Sequence, residues 1–201
     1  MDFPEIFFIS PYCEGDIGKG INRSISLLPD NAWVCLMDSD TLFLQPTSQR
    51  LILNIIKDNS DYDLIGCVTN RLGSPYQRYG GVLSEEVDIT KHQFWAKEQA
   101  EVYGTYVEET PKNEVIAGCL MLFKKSVWDE VKFEERSIQF DIIFNKELRK
   151  RNKKIGLAKG LYVFHLYRLG MKHPESAIGH LIHCHDMNKT ISIGEENEQG
   201  N

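Results

Sequence analysis

The sequence predicts an α/β protein, a single domain with a mostly parallel central sheet flanked by helices. Three observations carry this. Short apolar runs of strand length alternate along the chain with segments of helical periodicity. The runs are apolar throughout, as in strands covered on both faces. The 201 residues, 42% hydrophobic and 26% charged, are enough to bury one core without disulfide or metal staples. The same figures exclude a wholly disordered, collagen-like or fibrous chain.

Each element has its own justification. Ile6–Ser10 is an apolar run ended by Pro11 and predicts a buried strand. A glycine-rich loop, Cys13–Gly20, comes next. Ile21, Ile25 and Leu28 then share one helical face, and Pro29-Asp30-Asn31 stops that helix. Trp33–Met37 predicts a second buried strand, closing on Asp38-Ser39-Asp40. Thr47 or Ser48 can cap a helix running to Asp58, with Leu51, Ile52, Ile55 and Ile56 inward. Leu64–Val68 predicts a third strand. Residues 69–90 are polar and predict a long functional loop. Within it, Tyr76 and Tyr79 either stack on a sugar or base, with Gly80-Gly81 letting the loop close, or are incidental to a solvent-facing loop. Thr90-Lys91-His92-Gln93 has capping-box form and opens a helix to about Gly104. Val115–Phe123 predicts a fourth, central strand, and Ser126–Val131 and Phe140–Asn152 predict two helices. Lys154–Ala158 and Leu161–Leu166 predict two closing strands. The chain turns polar and acidic after His185, which sets a domain over 1–186 and a polar tail over 187–201.

A net charge of -6 argues against a general nucleic-acid binder. The longest apolar run, Val115–Phe123, is far short of the roughly 20 residues of a spanning helix. The opening residues, MDFPEIFFIS, lack the basic region and small-residue cleavage site of a signal peptide. Cys13, Cys35, Cys67, Cys119 and Cys184 are odd in number, scattered and without a CxxC pair. This predicts reduced thiols, hence a cytoplasmic location, and no structural zinc. His180, His183 and His185 form H-x-x-H-x-H and predict a polar rim rather than a zinc site. Lys146–Lys154 holds six basic residues in nine. A solvated helix face is the plain reading, and peripheral contact with an anionic membrane the alternative.

The sharpest feature is Asp38-Ser39-Asp40, directly after an apolar strand. In extended chain, residues i and i+2 point the same way, so both carboxylates are expected together at the carboxyl end of a strand, where α/β sheets bind ligands. Two close negative charges repel, and a divalent cation relieves the repulsion; oxygen ligands suit Mg²⁺ or Mn²⁺. Such an ion can clamp a diphosphate and stabilise it as a leaving group. The bland alternative is a polar turn in which Asp40 caps the next segment of chain.

The run Trp33-Val-Cys-Leu-Met-Asp-Ser-Asp-Thr-Leu-Phe43 resembles the strand and DxD of GT-A glycosyltransferases, in particular the family 2-like group. Other pieces come in the same order. Gly18-Lys-Gly-Ile-Asn22 is similar to the family's entry into its nucleotide-side helix. Ala117-Gly118 through Trp128 is similar to the strand and short helix that line donor sugar and acceptor. Phe140-Asp141, with Arg149 and Lys154-Ile-Gly156 after it, resembles the "ED" segment and its basic, glycine-marked turn. Leu161-Tyr-Val-Phe-His165 is similar to the late strand ending in histidine.

The resemblance implies a GT-A-like, Rossmann-like fold and a metal-dependent, inverting transfer of a sugar from a nucleotide-sugar to a hydroxyl on a glycan or lipid-linked acceptor. It implies Asp38, Asp40 and His165 around Mn²⁺ or Mg²⁺, with Asp38 also toward the donor. It implies Lys19, Asn22, Arg23 and Gly118 on the donor, and Asp141 as general base. Two departures stand out. The segment before the DxD strand holds only one strand and one helix, so the nucleotide half is short, with Asp16 the acid at hand to replace the missing one. Phe140 stands where the family commonly has the first acid of "ED". Two other classes stay open. One is a phosphatase of the haloacid dehalogenase type, whose D-x-D-x-T motif is similar to Met37–Leu42, although Thr41 comes one residue early. The other is a carbohydrate- or nucleotide-binding protein without turnover.

Overall fold

The computed structural model describes residues 4–167. His180, His183, Cys184, His185, the 1–186 boundary and the tail at 187–201 lie outside the described residues. The order is β1 (Ile6–Ile9), α1 (Ile17–Ser26), β2 (Trp33–Met37), β3 (Thr41–Leu42), α2 (Ser48–Asp58), β4 (Leu64–Thr69), α3 (Ile89–Tyr103), β5 (Val107–Glu109), β6 (Leu120–Lys124), α4 (Lys125–Glu130), α5 (Phe140–Lys150) and β7 (Ile155–His165).

The sheet runs β1-β2-β6-β4-β7-β3, with β5 also paired to β7. It is mixed, which corrects the mostly parallel expectation. β1/β2 and β4/β7 are parallel; β2/β6, β4/β6, β3/β7 and β5/β7 are antiparallel. The reason lies in the route to β6. β5 pairs with the first half of β7, Glu109 opposite Gly156, so the chain leaves β5 at the amino end of β7. Residues 110–119 then climb the sheet, and β6 descends, Leu120 opposite Met37 and Lys124 opposite Trp33.

The apolar pattern predicts strand from Val115 onward, but the climb is instead held by side chains. Asn145 accepts from Ile116 N–H (3.0 Å) and donates to Ile116 O (2.8 Å). Gln77 accepts from Ala117 N–H at 2.8 Å, and Asp141 from Gly118 N–H at 3.1 Å. Buried backbone groups need partners, and here polar side chains replace a neighbouring strand.

The two expected closing strands are one. β7 continues through Lys159–Leu161, where its register against β4 shifts between Cys67 and Val68. Alternate residues of the strands feed two cores. Val34, Leu36, Met121 and Phe123 pack with Ile21 and Ile25 of α1 and Phe144 and Leu148 of α5. Cys35, Ile65, Cys67 and Leu122 pack with Ile52, Ile55 and Ile56 of α2. The capping expectation for α3 shifts two residues: Asp88 is the N-cap and accepts from Thr90 N–H. An acidic cap there outcompetes a threonine already inside the first turn.

Gly160 sits in the β7 irregularity, where an added Cβ would lie 2.0 Å from the carbonyl oxygen of Gly104. Gly104 itself ends α3 with φ 51°. Gly160→Ala is therefore expected to lower unfolding free energy by about 1–3 kcal/mol. Gly73→Ala, where nothing lies within 4 Å, should stay within about 0.5 kcal/mol. Urea denaturation of both variants checks the contrast.

Candidate metal centre and its cleft

β1 and β2 are parallel and joined by α1, so their carboxyl ends open on one side, the usual ligand position of such units. A cleft of about 370 Å³ lies there, lined among others by Tyr12, Ile17, Asp38, Asp40, Gly118 and Phe140. Tyr12 is 85% exposed.

Asp38 and Asp40 are not in extended chain. β2 ends at Met37, and Thr41 N–H donates to Asp38 O at 3.1 Å, closing a turn. The carboxylates converge because the turn is pinned from both ends. Asp38 N–H donates to Cys119 O, and Leu166 N–H donates to Asp40 O. The pairing of β3 with β7 sets Thr41 opposite His165. His165 Nε2 thus lies 3.2 Å from Asp40 Oδ1 and 3.8 Å from Asp38 Oδ2, and the histidine side chain is 3% exposed. Thr41 is buried and its hydroxyl donates to Cys119 O at 3.2 Å, so the threonine of the phosphatase motif is committed inside the fold.

The charges explain each other. Burial raises the Asp38 pKa, His165 pulls it down, and Asp40 and Asp141 raise it further, to about 6. Burial pulls His165 down, but its hydrogen bond to Asp40 and the nearby carboxylates outweigh that and leave it at about 9. The hydrogen bond from His165 is the main reason Asp40 sits below the usual carboxylate range. Without a cation, an imidazolium proton therefore sits between the carboxylates. The donor set suits a divalent ion. One ligand atom from each of Asp38, Asp40 and His165 can be chosen so that all lie within 4.8 Å of one another. Ligands of an octahedral ion at about 2.1 Å are about 3 Å apart when adjacent and about 4.2 Å when opposite. The 3.2 Å from His165 Nε2 to Asp40 Oδ1 is close to the adjacent spacing, and the 3.8 Å to Asp38 Oδ2 lies between the two.

Asp141 lies in the first turn of α5, next to the lining residues Gly118 and Phe140 and not itself among the cleft-lining residues. Its two oxygens accept from Gly118 N–H (3.1 Å) and Ile142 N–H (2.7 Å). Burial raises its pKa, and the two backbone bonds temper the rise. Gly118 is needed for space: an added Cβ would lie 2.7 Å from the Phe140 ring.

The α1 residues are placed differently from expectation. Lys19 and Arg23 are exposed and outside the cleft lining. The Asn22 amide is spent inside the fold. Its Oδ1 accepts from Trp128 Nε1–H and Phe133 N–H, and its Nδ2 donates to Phe133 O and Glu135. Asp16 caps α1 through Lys19 N–H and accepts from Arg136 N–H, so it serves the backbone rather than a nucleobase. Tyr76 and Tyr79 turn inward, Tyr76 donating to Glu108 and Tyr79 stacked on Trp95. Much of the basic run is answered within the protein. Lys150 and Arg151 pair with Glu147, Lys153 with Glu130 and Asp63, and Lys154 with Asp61.

Three residues of the long loop to which the sequence pattern assigns no role are fully buried: Asn70, Arg71 and Gln77. Asn70 and Arg71 contact His165, and Gln77 holds the wall next to Gly118. The signal that could have found them is position: Asn70 and Arg71 come directly after β4 at the carboxyl end of the sheet, level with the DxD turn. The chain matches no protein-family model and no curated protein.

Asn22→Ala removes a four-bond hub and should cost about 1–3 kcal/mol, read by urea denaturation. The raised His165 pKa contributes stability that is complete below 6.5 and is lost as pH rises through about 9. Asp38, raised to about 6, loses its share earlier, above 3.8. The urea midpoint of the metal-free protein should therefore fall between pH 6.5 and 9, and His165→Gln should flatten that fall.

Proposed function

We propose that the chain is a metal-dependent glycosyltransferase, moving a sugar from a nucleotide-diphosphate donor to a hydroxyl acceptor with inversion at the anomeric carbon. The observation that carries this reading is the grouping of Asp38 and Asp40, which line the cleft, with the buried His165 beside them, in a cleft whose lining, among the described residues, holds no lysine or arginine. A diphosphate entering such a cleft meets carboxylates, and a cation is what makes its entry favourable.

Asp38, Asp40 and His165 would hold Mn²⁺ or Mg²⁺, which when bound neutralises the diphosphate and stabilises it as a leaving group. Tyr12 and Ile17 offer the donor's nucleoside an exposed ring and an apolar surface. Asp141 is the base. Its backbone bonds fix both oxygens in place, and each keeps a lone pair for a further donor. A raised pKa strengthens it as a proton acceptor. The acceptor oxygen bonds to the anomeric carbon, the bond from that carbon to the diphosphate breaks, and the hydroxyl proton passes to Asp141. The acceptor is a glycan or a lipid-linked acceptor. Among the described residues no helix is long and apolar enough to cross a membrane, and Cys13, Cys35, Cys67 and Cys119 are free thiols; the reading places the reaction in the reducing cytoplasm.

Thermal shift with a panel of nucleoside diphosphates should show stabilisation only when Mn²⁺ is present, and Asp40→Ala should abolish it. Asp141→Asn should keep donor binding and lose about 10²–10⁴-fold in transfer rate. Nucleotide binding without any transfer would make the chain a binding protein, and retention at the anomeric carbon would remove Asp141 as the base of a direct displacement.

A further inference from the structure

His165 is gripped from behind by two consecutive residues. The Asn70 side chain spans the His165 backbone: its Oδ1 accepts from His165 N–H at 2.8 Å and its Nδ2 donates to His165 O at 3.1 Å. The next carbonyl, that of Arg71, lies 2.9 Å from His165 Nδ1. A carbonyl oxygen can only accept, so Nδ1 carries the hydrogen and Nε2 is the atom left to face Asp38 and Asp40.

The grip is anchored. Asn70 and Arg71 are both 0% exposed. Arg71 donates through Nε to Tyr167 O (2.8 Å), just past the histidine, and through NH1 to Ser84 O (2.7 Å), with Glu85 as ionic partner. Ser84 N–H in turn donates to Asn70 O at 3.1 Å. The loop between 70 and 84 thus closes on itself at its neck, and the neck sits against His165.

We infer that Asn70 is a positioning residue for the metal centre: it fixes the backbone of His165 so that the ring keeps Nδ1–H on the Arg71 carbonyl and presents the Nε2 lone pair to an ion shared with Asp38 and Asp40. The inference rests on the metal reading proposed for the cleft. Neighbours of this kind set the orientation and donor atom of a metal-bound histidine, and their loss typically weakens metal binding about 10–100-fold. An alanine at 70 leaves the His165 backbone without its two bonds, and the ring is then free to tilt off the Arg71 carbonyl.

The test uses the full chain, with Mn²⁺ alone as probe, and three proteins: the parent, Asn70→Ala and Ile55→Val. Ile55 of α2 is buried in the core and serves as a control for general loss of stability. In metal-free protein, ¹⁵N NMR should show a protected His165 Nδ1–H in the parent and in Ile55→Val, and its loss in Asn70→Ala. Free Mn²⁺ measured by electron paramagnetic resonance should give about 10–100-fold weaker binding for Asn70→Ala and parent affinity for Ile55→Val. Should Asn70→Ala not fold, Asn70→Asp is used in its place. It keeps the acceptor for His165 N–H and sets a carboxylate oxygen against His165 O. A protected Nδ1–H that survives the substitution at 70, or Mn²⁺ affinity within about twofold of the parent, overturns the inference. A parent that takes up no Mn²⁺ overturns the metal reading itself, and the Nδ1–H signal then decides alone whether Asn70 orients the ring.

Discussion

The site depends on one short pairing, Thr41–Leu42 of β3 against the end of β7. Two residues of ladder are a weak element alone, and this one is reinforced from the side. Cys119 O accepts both Asp38 N–H and the Thr41 hydroxyl, so the turn that carries the carboxylates is tied to the top of β6 as well as to β7. The pairing also explains the length of β7. Its first half is engaged by β5 and its last residues by β3, and the irregularity at Lys159–Leu161 separates the two. A shorter strand would end below the level of the DxD turn and leave His165 out of reach.

The same pairing concentrates charge. Two carboxylates and a buried histidine are held where solvent can screen them only in part, and the protein answers with a proton on the histidine and a reluctant Asp38. The backbone hydrogen bonds of the turn keep the two residues together, and His165 offsets the repulsion between their carboxylates. Placing two carboxylates and a histidine so close costs stability, a common trade at functional sites.

Much of this is legible in the residues. The apolar runs at Ile6, Trp33 and Leu64 and the helical spacing of Ile21 with Ile25 and of Ile52 with Ile56 place the central elements, because burial dominates both patterns. Asp38, Asp40 and His165, named from motif and order, come together in space. Three things are not legible. Strand direction depends on the route of residues 110–119, which periodicity does not encode. Val115–Cys119 has strand composition, yet its hydrogen bonds go to Asn145, Gln77 and Asp141, partners distant in sequence. Asn22 reads as a ligand-facing polar residue on a helix, and its work with Trp128 and Phe133 shows that an amide with four bonding positions serves equally well inside.

The wall at Ile116–Gly118 differs from the strands beside it in how it can change. In a ladder, each residue's bonds are shared with a neighbouring backbone, so no one position moves without its neighbours. Here each residue of the wall answers to its own side-chain partner: Ile116 to Asn145, Ala117 to Gln77 and Gly118 to Asp141. A change at 77 or 145 therefore acts directly on the backbone that leads to Gly118, and at 77 it also reaches β4, because Gln77 Nε2–H donates to Cys67 O at 3.1 Å. The backbone beside the cleft is in this way set by side chains distant in sequence, while the β-ladders on either side are set by their neighbouring strands.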